Sequence, residues 1–334
     1  MEVYGCEMEF EIPVIDLSGL YDGHEGINHV AQQIKKRFKT VGFSYLINSG
    51  ISESLIKKIL AAAKAFHKLS LEKKLKIKQN QAFRGYLAPN ASKVKSSTQG
   101  SAKHPNLVEA FIMMFEADES NPDYKEGKYL AGPNQWPDEM PELKEVMIEY
   151  RDAMVSLSQR LVKAFAVAFG LAEHALDGMF LDPTYFLRLH RYQPQERSDA
   201  DRFGLAPHTD IGFMTCLVQD DIGGLQVRAP ETGEWVNVAY KPGALILNAG
   251  DMLQRLTNGE YKPVVHRVLN SSGKDRYSVP FFFDPNMHAQ IESLAPFVKD
   301  GSVQCESFMY GDYVMGRVTP NYAILQGKAG SHSS

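Results

Sequence analysis

The sequence predicts a β-rich α+β protein, a helical first half leading into a β-core. Three observations point there. Apolar residues recur mostly at helical spacing as far as Gly170, and from about residue 184 short strand-like runs alternate with turn residues. No linker-like stretch divides the halves, so the helices are expected to pack on the β-core as a single unit over 1–334.

Length and composition bound the reading. The chain has 334 residues, 44% hydrophobic and 23% charged, enough for one large core or at most two modest ones. A net charge of -4, from 36 basic and 40 acidic residues, gives no basis for a nucleic-acid partner or a membrane surface. No apolar run approaches the roughly 20 residues that span a bilayer. Met1 to Ile12 lacks a basic stretch leading into an apolar one, so no secretory leader is expected. The three cysteines, Cys6, Cys216 and Cys305, are too few and scattered for a disulfide framework or a zinc site. They read as free thiols in a reducing cytoplasm.

Ile12 to Leu17 reads as an opening strand. A helix follows from about Gly26, with Ile27, Val30, Ala31, Ile34 and Phe38 on one face and Gly42 as its stop. Phe43 to Ile47 is β-rich, and Ser52 can cap a second helix carrying Leu55, Ile59, Ala63 and Phe66. The run Lys73 to Lys78 reads as a solvated helix end, and 88–105 as a loop. A long helix is expected over about 141–169, with Val146, Tyr150, Ala153, Leu157, Leu161, Ala164 and Ala168 buried and Gly170 as its cap. Residues 10–175 are thus a mainly helical N-terminal region.

The β-core is expected over 180–290. Its strands are Tyr185–Leu189, Phe213–Gln219, Leu225–Arg228, Trp235–Val238, Ala244–Leu247, Val264–Leu269 and Tyr277–Phe283, a number and spacing that fit an antiparallel sandwich or barrel. A C-terminal helix is placed over 300–326.

Chemistry-bearing residues cluster in the β-core. His208 and Asp210 lie two apart on a β-run and so point to one face. His266 lies inside the apolar run Val264–Val268, where an unpaired imidazole is costly. Two imidazoles and a carboxylate suit a borderline metal such as Fe(II), with positions left open. With ten histidines in the chain, each residue also has a plain reading: His208 as a loop histidine bonded to Asp210, and His266 as a satisfied core histidine. Further on, Arg276 and Ser278 share a strand face, and the turn Asn270–Asp275 is expected to form a hairpin bringing that face near His266. A guanidinium beside a hydroxyl makes a carboxylate receptor. The plain readings are a surface salt bridge for Arg276 and a strand filler for Ser278.

His208-x-Asp210, His266 and Arg276-x-Ser278 together resemble the 2-oxoglutarate- and Fe(II)-dependent dioxygenases of the isopenicillin N synthase-like group. Similar strings flank them: Ile12–Asp16, Arg84-Gly85-Tyr86, Gly223–Val227, Trp235, Asn248–Gln254 and Leu256–Gly259. The resemblance spans about residues 10–325.

The resemblance implies a double-stranded β-helix (jelly roll) core with buttressing α-helices. It implies that His208, Asp210 and His266 bind Fe(II), which the 2-oxo acid chelates through its keto and C1 carboxylate oxygens. Arg276 and Ser278 would hold the C5 carboxylate, and Tyr192 would hydrogen-bond the same co-substrate. With O2, and ascorbate as a reductant, a small molecule would be hydroxylated, desaturated or cyclised while succinate and CO2 are released. Beyond the metal ligands no catalytic side chain is implied. Phe282 matches a position that stacks on substrate; plain core packing is its other reading.

Arg84 and Tyr86, within Phe83–Tyr86, would line the substrate pocket with Asn106–Phe111, the 195–204 loop and the C-terminal helix from about Glu306. His190 departs from the asparagine that many plant members carry there. Asp251 reads as structural. A cytoplasmic monomer acting on a small molecule is the expectation.

Three alternatives stay open. One is an oxidase of this fold that does not use 2-oxoglutarate; isopenicillin N synthase and aminocyclopropane carboxylate oxidase also keep an Arg-x-Ser. The others are a non-catalytic ligand-binding homologue and a zinc hydrolase on the same donors. The substrate is not legible in the sequence.

Overall fold

Two β-sheets enclose the centre of the protein. The computed structural model describes residues 10–95, 101–195, 201–299 and 306–328. The strands of these two sheets are β1 (Val14–Asp16), β2 (Phe43–Ile47), β3 (Gly85–Leu87), β4 (Glu109–Met114), β5 (Thr184–Tyr192), β6 (Leu205–His208), β7 (Met214–Gln219), β8 (Leu225–Arg228), β9 (Trp235–Asn237), β10 (Leu245–Ala249), β11 (His266–Val268) and β12 (Arg276–Asp284). The larger sheet runs β1-β2-β10-β7-β12-β5-β4-β3, and the smaller β6-β11-β8-β9. The helices are α1 (Gly23–Phe38), α2 (Glu53–Lys68), α3 (Leu71–Lys76), α4 (Pro122–Glu126), α5 (Pro141–Ala168), α6 (Asp251–Leu256) and α7 (Tyr310–Val318).

The period-2 geometry of a strand sorts the side chains of the larger sheet. Phe43 and Tyr45 of β2, Leu217 of β7, Ile246 of β10 and Tyr192 of β5 point between the sheets, where they meet Leu225, Val227 and Val268 of the smaller sheet. Their neighbours Leu46, Cys216, Val218, Leu245 and Leu247 point the other way, into the core shared with α1, α2 and α5. With both faces covered, these strands read as continuous apolar runs. The helical expectations hold locally: Ser52 accepts the Leu55 N–H at 3.2 Å, and Gly170 takes a left-handed φ of 81° just past α5. Cys216 is a buried free thiol; Cys6 and Cys305 lie outside the described residues. Among the described residues no helix is long and apolar enough to cross a membrane.

Several expectations need correction. The N-terminal region is mainly helical and carries the two expected strands, β1 and β2, but also two unexpected ones, β3 and β4, and all four join the larger sheet. Strand β4, Glu-Ala-Phe-Ile-Met-Met, is built from good helix formers and is buried at every position, so neither propensity nor alternation announces it. The expected hairpin after His266 does not form. Strand β11 is flanked by β6 and β8, and β12 by β5 and β7, so the intervening turn crosses from one sheet to the other. The C-terminal helix is shorter than 300–326, because Pro320 opens a 3-10 turn just beyond Val318; 300–305 lie outside the described residues.

Arg84 and Tyr86 are structural, contrary to the substrate-contact expectation. Both side chains are fully buried. The Arg84 guanidinium donates to the carbonyls of Ala82, Leu130 and Phe115, pinning the segment where Tyr129 and Leu130 adopt positive φ. The Tyr86 hydroxyl donates to Glu109.

Glu109 centres a buried charge cluster. Its carboxylate takes Lys74 at 2.9 Å and Arg191 at 2.6 Å, with His67 Nδ1 at 3.7 Å. Burial alone would push this carboxyl up, but His67, Tyr86 and Lys74 hold it well below the ordinary range. Glu109→Ala leaves cations buried without their counter-charge, so a loss of about 3–5 kcal/mol is expected in urea unfolding. Because the folded-state carboxyl is depressed, this contribution is present above the ordinary carboxylate range and is lost as pH falls below it. A variant as stable as wild type at pH 7 would contradict this account.

Candidate metal centre

The centre is built where β6, β11 and the turn after β6 meet. The β6–β11 register sets His266 directly opposite His208, with ring centroids 4.3 Å apart. His208 Nδ1 bonds the Ala206 carbonyl at 2.8 Å and His266 Nδ1 the Val264 carbonyl at 3.1 Å. A carbonyl only accepts, so both Nδ1 atoms carry the proton and both Nε2 lone pairs face inward. Asp210 Oδ1 lies 3.6 Å from His208 Nε2 and 3.7 Å from His266 Nε2. The three ligand atoms fall within 4.8 Å of one another, a spacing a single cation can bridge.

Asp210 is fixed by its other oxygen. Oδ2 accepts the Thr215 hydroxyl at 2.5 Å and the Asn248 amide at 2.6 Å, which leaves Oδ1 facing the two imidazoles. Burial would push this carboxyl up, yet the two histidines and Thr215 hold it well below the usual range. Burial, then the neighbouring His208, push the His266 imidazole down to about 4, so it is neutral at physiological pH. Two imidazole nitrogens and one carboxylate oxygen on one side of a cavity form the donor set of a facial triad.

Backbone packing holds the turn that carries Asp210. The Asp251 N–H bonds the Asp210 carbonyl at 2.8 Å, and the Asp251 carboxylate accepts the Thr209 hydroxyl at 3.0 Å. The same carboxylate takes Arg317 at 2.8 Å and Tyr313 at 3.1 Å, so the structural reading of Asp251 extends to linking α7 with the ligand turn. Gly212 cannot be replaced without a shift, since a Cβ there would lie 1.7 Å from an Asp284 carboxylate oxygen.

A second polar site opens from the inner face of the larger sheet. Arg276 is 1% exposed. One guanidinium nitrogen donates to Gln219 Oε1 at 2.8 Å, another to Ser278 Oγ at 3.3 Å, and Nε has no partner. Its plane lies 4.8 Å from the centre of the Tyr192 ring, and the Tyr192 hydroxyl bonds His190 Nδ1 at 2.9 Å. The surface salt-bridge reading of Arg276 therefore fails: among the described residues no carboxylate pairs with it. Asp220 acts on it only from beyond ion-pair distance, and a buried guanidinium with no contact ion pair calls for an anion.

The cavity beside the metal ligands is lined by Phe186, Arg188, His190, Phe282, Asp284, Asn106 and, from the C-terminal segment, Tyr310, Val314 and Tyr322. Phe282, Asn106 and residues of α7, expected to line the substrate pocket, are among the lining residues of this cavity. Part of the 195–204 loop, including Arg197 to Ala200, lies outside the described residues. Sequence reasoning missed Thr215, Gln219, Asn248 and Arg188 as site residues. Thr215 and Gln219 carry a usable signal: they are polar and alternate with Leu217 on one face of an otherwise apolar strand.

Comparison with known proteins agrees with this geometry. Residues 12–139 match a family model described as non-haem dioxygenase in morphine synthesis N-terminal, and 183–285 one for the 2OG-Fe(II) oxygenase superfamily. The chain is 33% identical to homoarginine-6-hydroxylase 2-ODD-C23.1 of Arabidopsis thaliana, over 94% of this chain and 98% of that protein. It is 31% identical to the 2-oxoglutarate-Fe(II) type oxidoreductase hxnY of Emericella nidulans, over 96% and 95%. Among solved structures, a full-length Neurospora crassa protein in complex with alpha-KG and thymine superposes with a TM-score of 0.80 at 28% identity, covering 92% of this chain and 96% of that one.

Proposed function

The chain belongs to the 2OG-Fe(II) oxygenase superfamily and is a 2-oxoglutarate-dependent dioxygenase, and on that premise we propose that His208, Asp210 and His266 are its Fe(II) ligands and that Arg276, Ser278 and Tyr192 receive the co-substrate. The carrying observation is the convergence of two Nε2 atoms and Asp210 Oδ1 within 4.8 Å. The buried, unpaired Arg276 on the same inner surface supports the second half of the reading.

Fe(II) held there by His208, Asp210 and His266 would supply activation of O2, the oxidant for converting 2-oxoglutarate to succinate and CO2 while a small organic substrate is oxidised. The protein contributes position and dryness. Val264 and Ala206 fix both imidazoles in the metal-binding tautomer, and Thr215 with Asn248 fixes the carboxylate. Arg276 and Ser278 take the distal carboxylate of the co-substrate, with Tyr192 beside them. Phe282 and Phe186 wall the cavity against water. No side chain is needed as a general base, in keeping with the neutral, buried His190, whose pKa burial drives well below the ordinary value.

Release of labelled CO2 from 1-carbon-labelled 2-oxoglutarate, dependent on added Fe(II), tests the assignment. Turnover of any substrate with no such release would favour the oxidase reading instead. The names of relatives and of solved neighbours span homoarginine, clavatol and thymine, so the substrate must be read from this chain's own cavity. We further place the protein in the cytoplasm as a monomer; sedimentation and fractionation test both.

A further inference from the structure

The inner face of the larger sheet is a ladder of rows. Across β12 and β5, Arg276 stands opposite Tyr192, Ser278 opposite His190 and Phe282 opposite Phe186; Pro280 and Arg188 fall on the row between the last two. On the other side of β12, Thr215 stands opposite Phe282, and its hydroxyl holds Asp210. Arg188 therefore lies one row from the level of the metal ligand. It is four residues, about 13 Å of strand, from the row of Arg276 and Tyr192. The two guanidiniums serve different anions.

Arg188 is held among aromatic rings, 4.9 Å from the centre of Phe282, 5.5 Å from Phe83 and 5.9 Å from Phe186. It donates to the Tyr322 hydroxyl at 3.3 Å. Its Nε is buried with no partner, and among the described residues no carboxylate forms an ion pair with it. The acids nearby are committed. Asp210 belongs to the metal centre, and Asp251 is paired with Arg317. Asp284 accepts the Phe213 N–H at 2.7 Å; Arg188 draws its carboxyl down without forming an ion pair, but burial outweighs this and pushes it up to about 7. Lys93 lines the same cavity and adds to its positive balance.

We propose that Arg188 is the receptor for a carboxylate on the primary substrate, a small organic acid whose apolar body lies on Phe282 and Phe186 beside the metal. This rests on the oxygenase reading of the site. A guanidinium with a free edge, desolvated by rings, favours a carboxylate over a neutral amide by roughly 10- to 100-fold and repels an amine.

The test uses the full chain loaded with Mn(II) and saturated with 2-oxoglutarate. Benzoate, phenylacetate, 3-phenylpropionate and cyclohexanecarboxylate, each with its primary amide and its amine analogue, are titrated by calorimetry. At least one acid is expected to bind at least about 10-fold more tightly than its amide and amine. Arg188→Met is expected to erase that preference and Arg188→Lys to keep part of it, while affinities for Mn(II) and 2-oxoglutarate stay unchanged. Should Arg188→Met fail to fold, the acid–amide comparison in wild type and Arg188→Lys decides. The proposal is overturned if no acid binds, if amides or amines bind as well, or if Arg188→Met retains the preference. Failure of the oxygenase reading would show differently, as absent Fe(II)-dependent CO2 release with the acid preference intact.

Discussion

Replacing Asp210 by alanine is expected to lower substrate-stimulated succinate formation by more than about 100-fold, beyond what loss of a group that merely orients a ligand costs. The reason is the charge balance of the centre. Asp210 Oδ1 is the one carboxylate donor in the trio, and the other two are imidazoles with Nδ1 tied to backbone carbonyls. Without it a dication would rest on two imidazole nitrogens. The Thr215 hydroxyl and Asn248 amide would also lose their acceptor, at about 1–3 kcal/mol for each group left unsatisfied. Mn(II) affinity should fall in parallel, which separates ligand loss from a slower chemical step. Circular dichroism on Asp210→Ala and on the same-sized Asp210→Asn checks that the fold survives. Undiminished turnover in a folded Asp210→Ala protein would end the metal assignment.

The second large effect concerns Arg276. Arg276→Met should weaken 2-oxoglutarate by about 100-fold or more, because a desolvated two-point carboxylate contact is removed. Stability should respond in the opposite sense to the usual buried substitution. The ligand-free protein holds a buried guanidinium with no contact ion pair and only the more distant charge of Asp220 acting on it, a costly arrangement, so replacing it with an apolar side chain of similar length is nearly neutral or stabilising. The opposing cost is the Gln219 oxygen, which loses its donor. We therefore expect ligand-free stability within about 1 kcal/mol of wild type, with thermal stabilisation by added 2-oxoglutarate abolished. Arg276→Lys keeps the charge but not the planar fork and should fall between the two. Wild-type co-substrate affinity in Arg276→Met would remove this residue from the binding site.

How far the sequence carried the argument depends on the kind of signal each residue gives. The triad was legible because His208 and Asp210 obey the two-residue strand period, and because His266 is a polar residue in an apolar run. The same period paired Arg276 with Ser278. The sequence also marked α1, α2 and α5 through their apolar stripes, and most of the strands after residue 184. It misassigned Arg84 and Tyr86, whose motif resembles the family's but whose side chains turn into carbonyl and carboxylate partners far from them in sequence.

By itself, then, the sequence determined the local periodicities and the identity of the donor atoms, since both are properties of neighbouring residues. Tertiary structure alone decided which strands share a sheet: it seated β4 between β3 and β5, a strand from the other half of the chain, and parted β11 from β12. It alone also brought Thr215 and Asn248 to one oxygen of Asp210 and, among the described residues, buried Arg188 and Arg276 without a contact ion pair. Such facts depend on contacts between residues tens of positions apart, which burial and hydrogen-bond satisfaction select only once the sheets close.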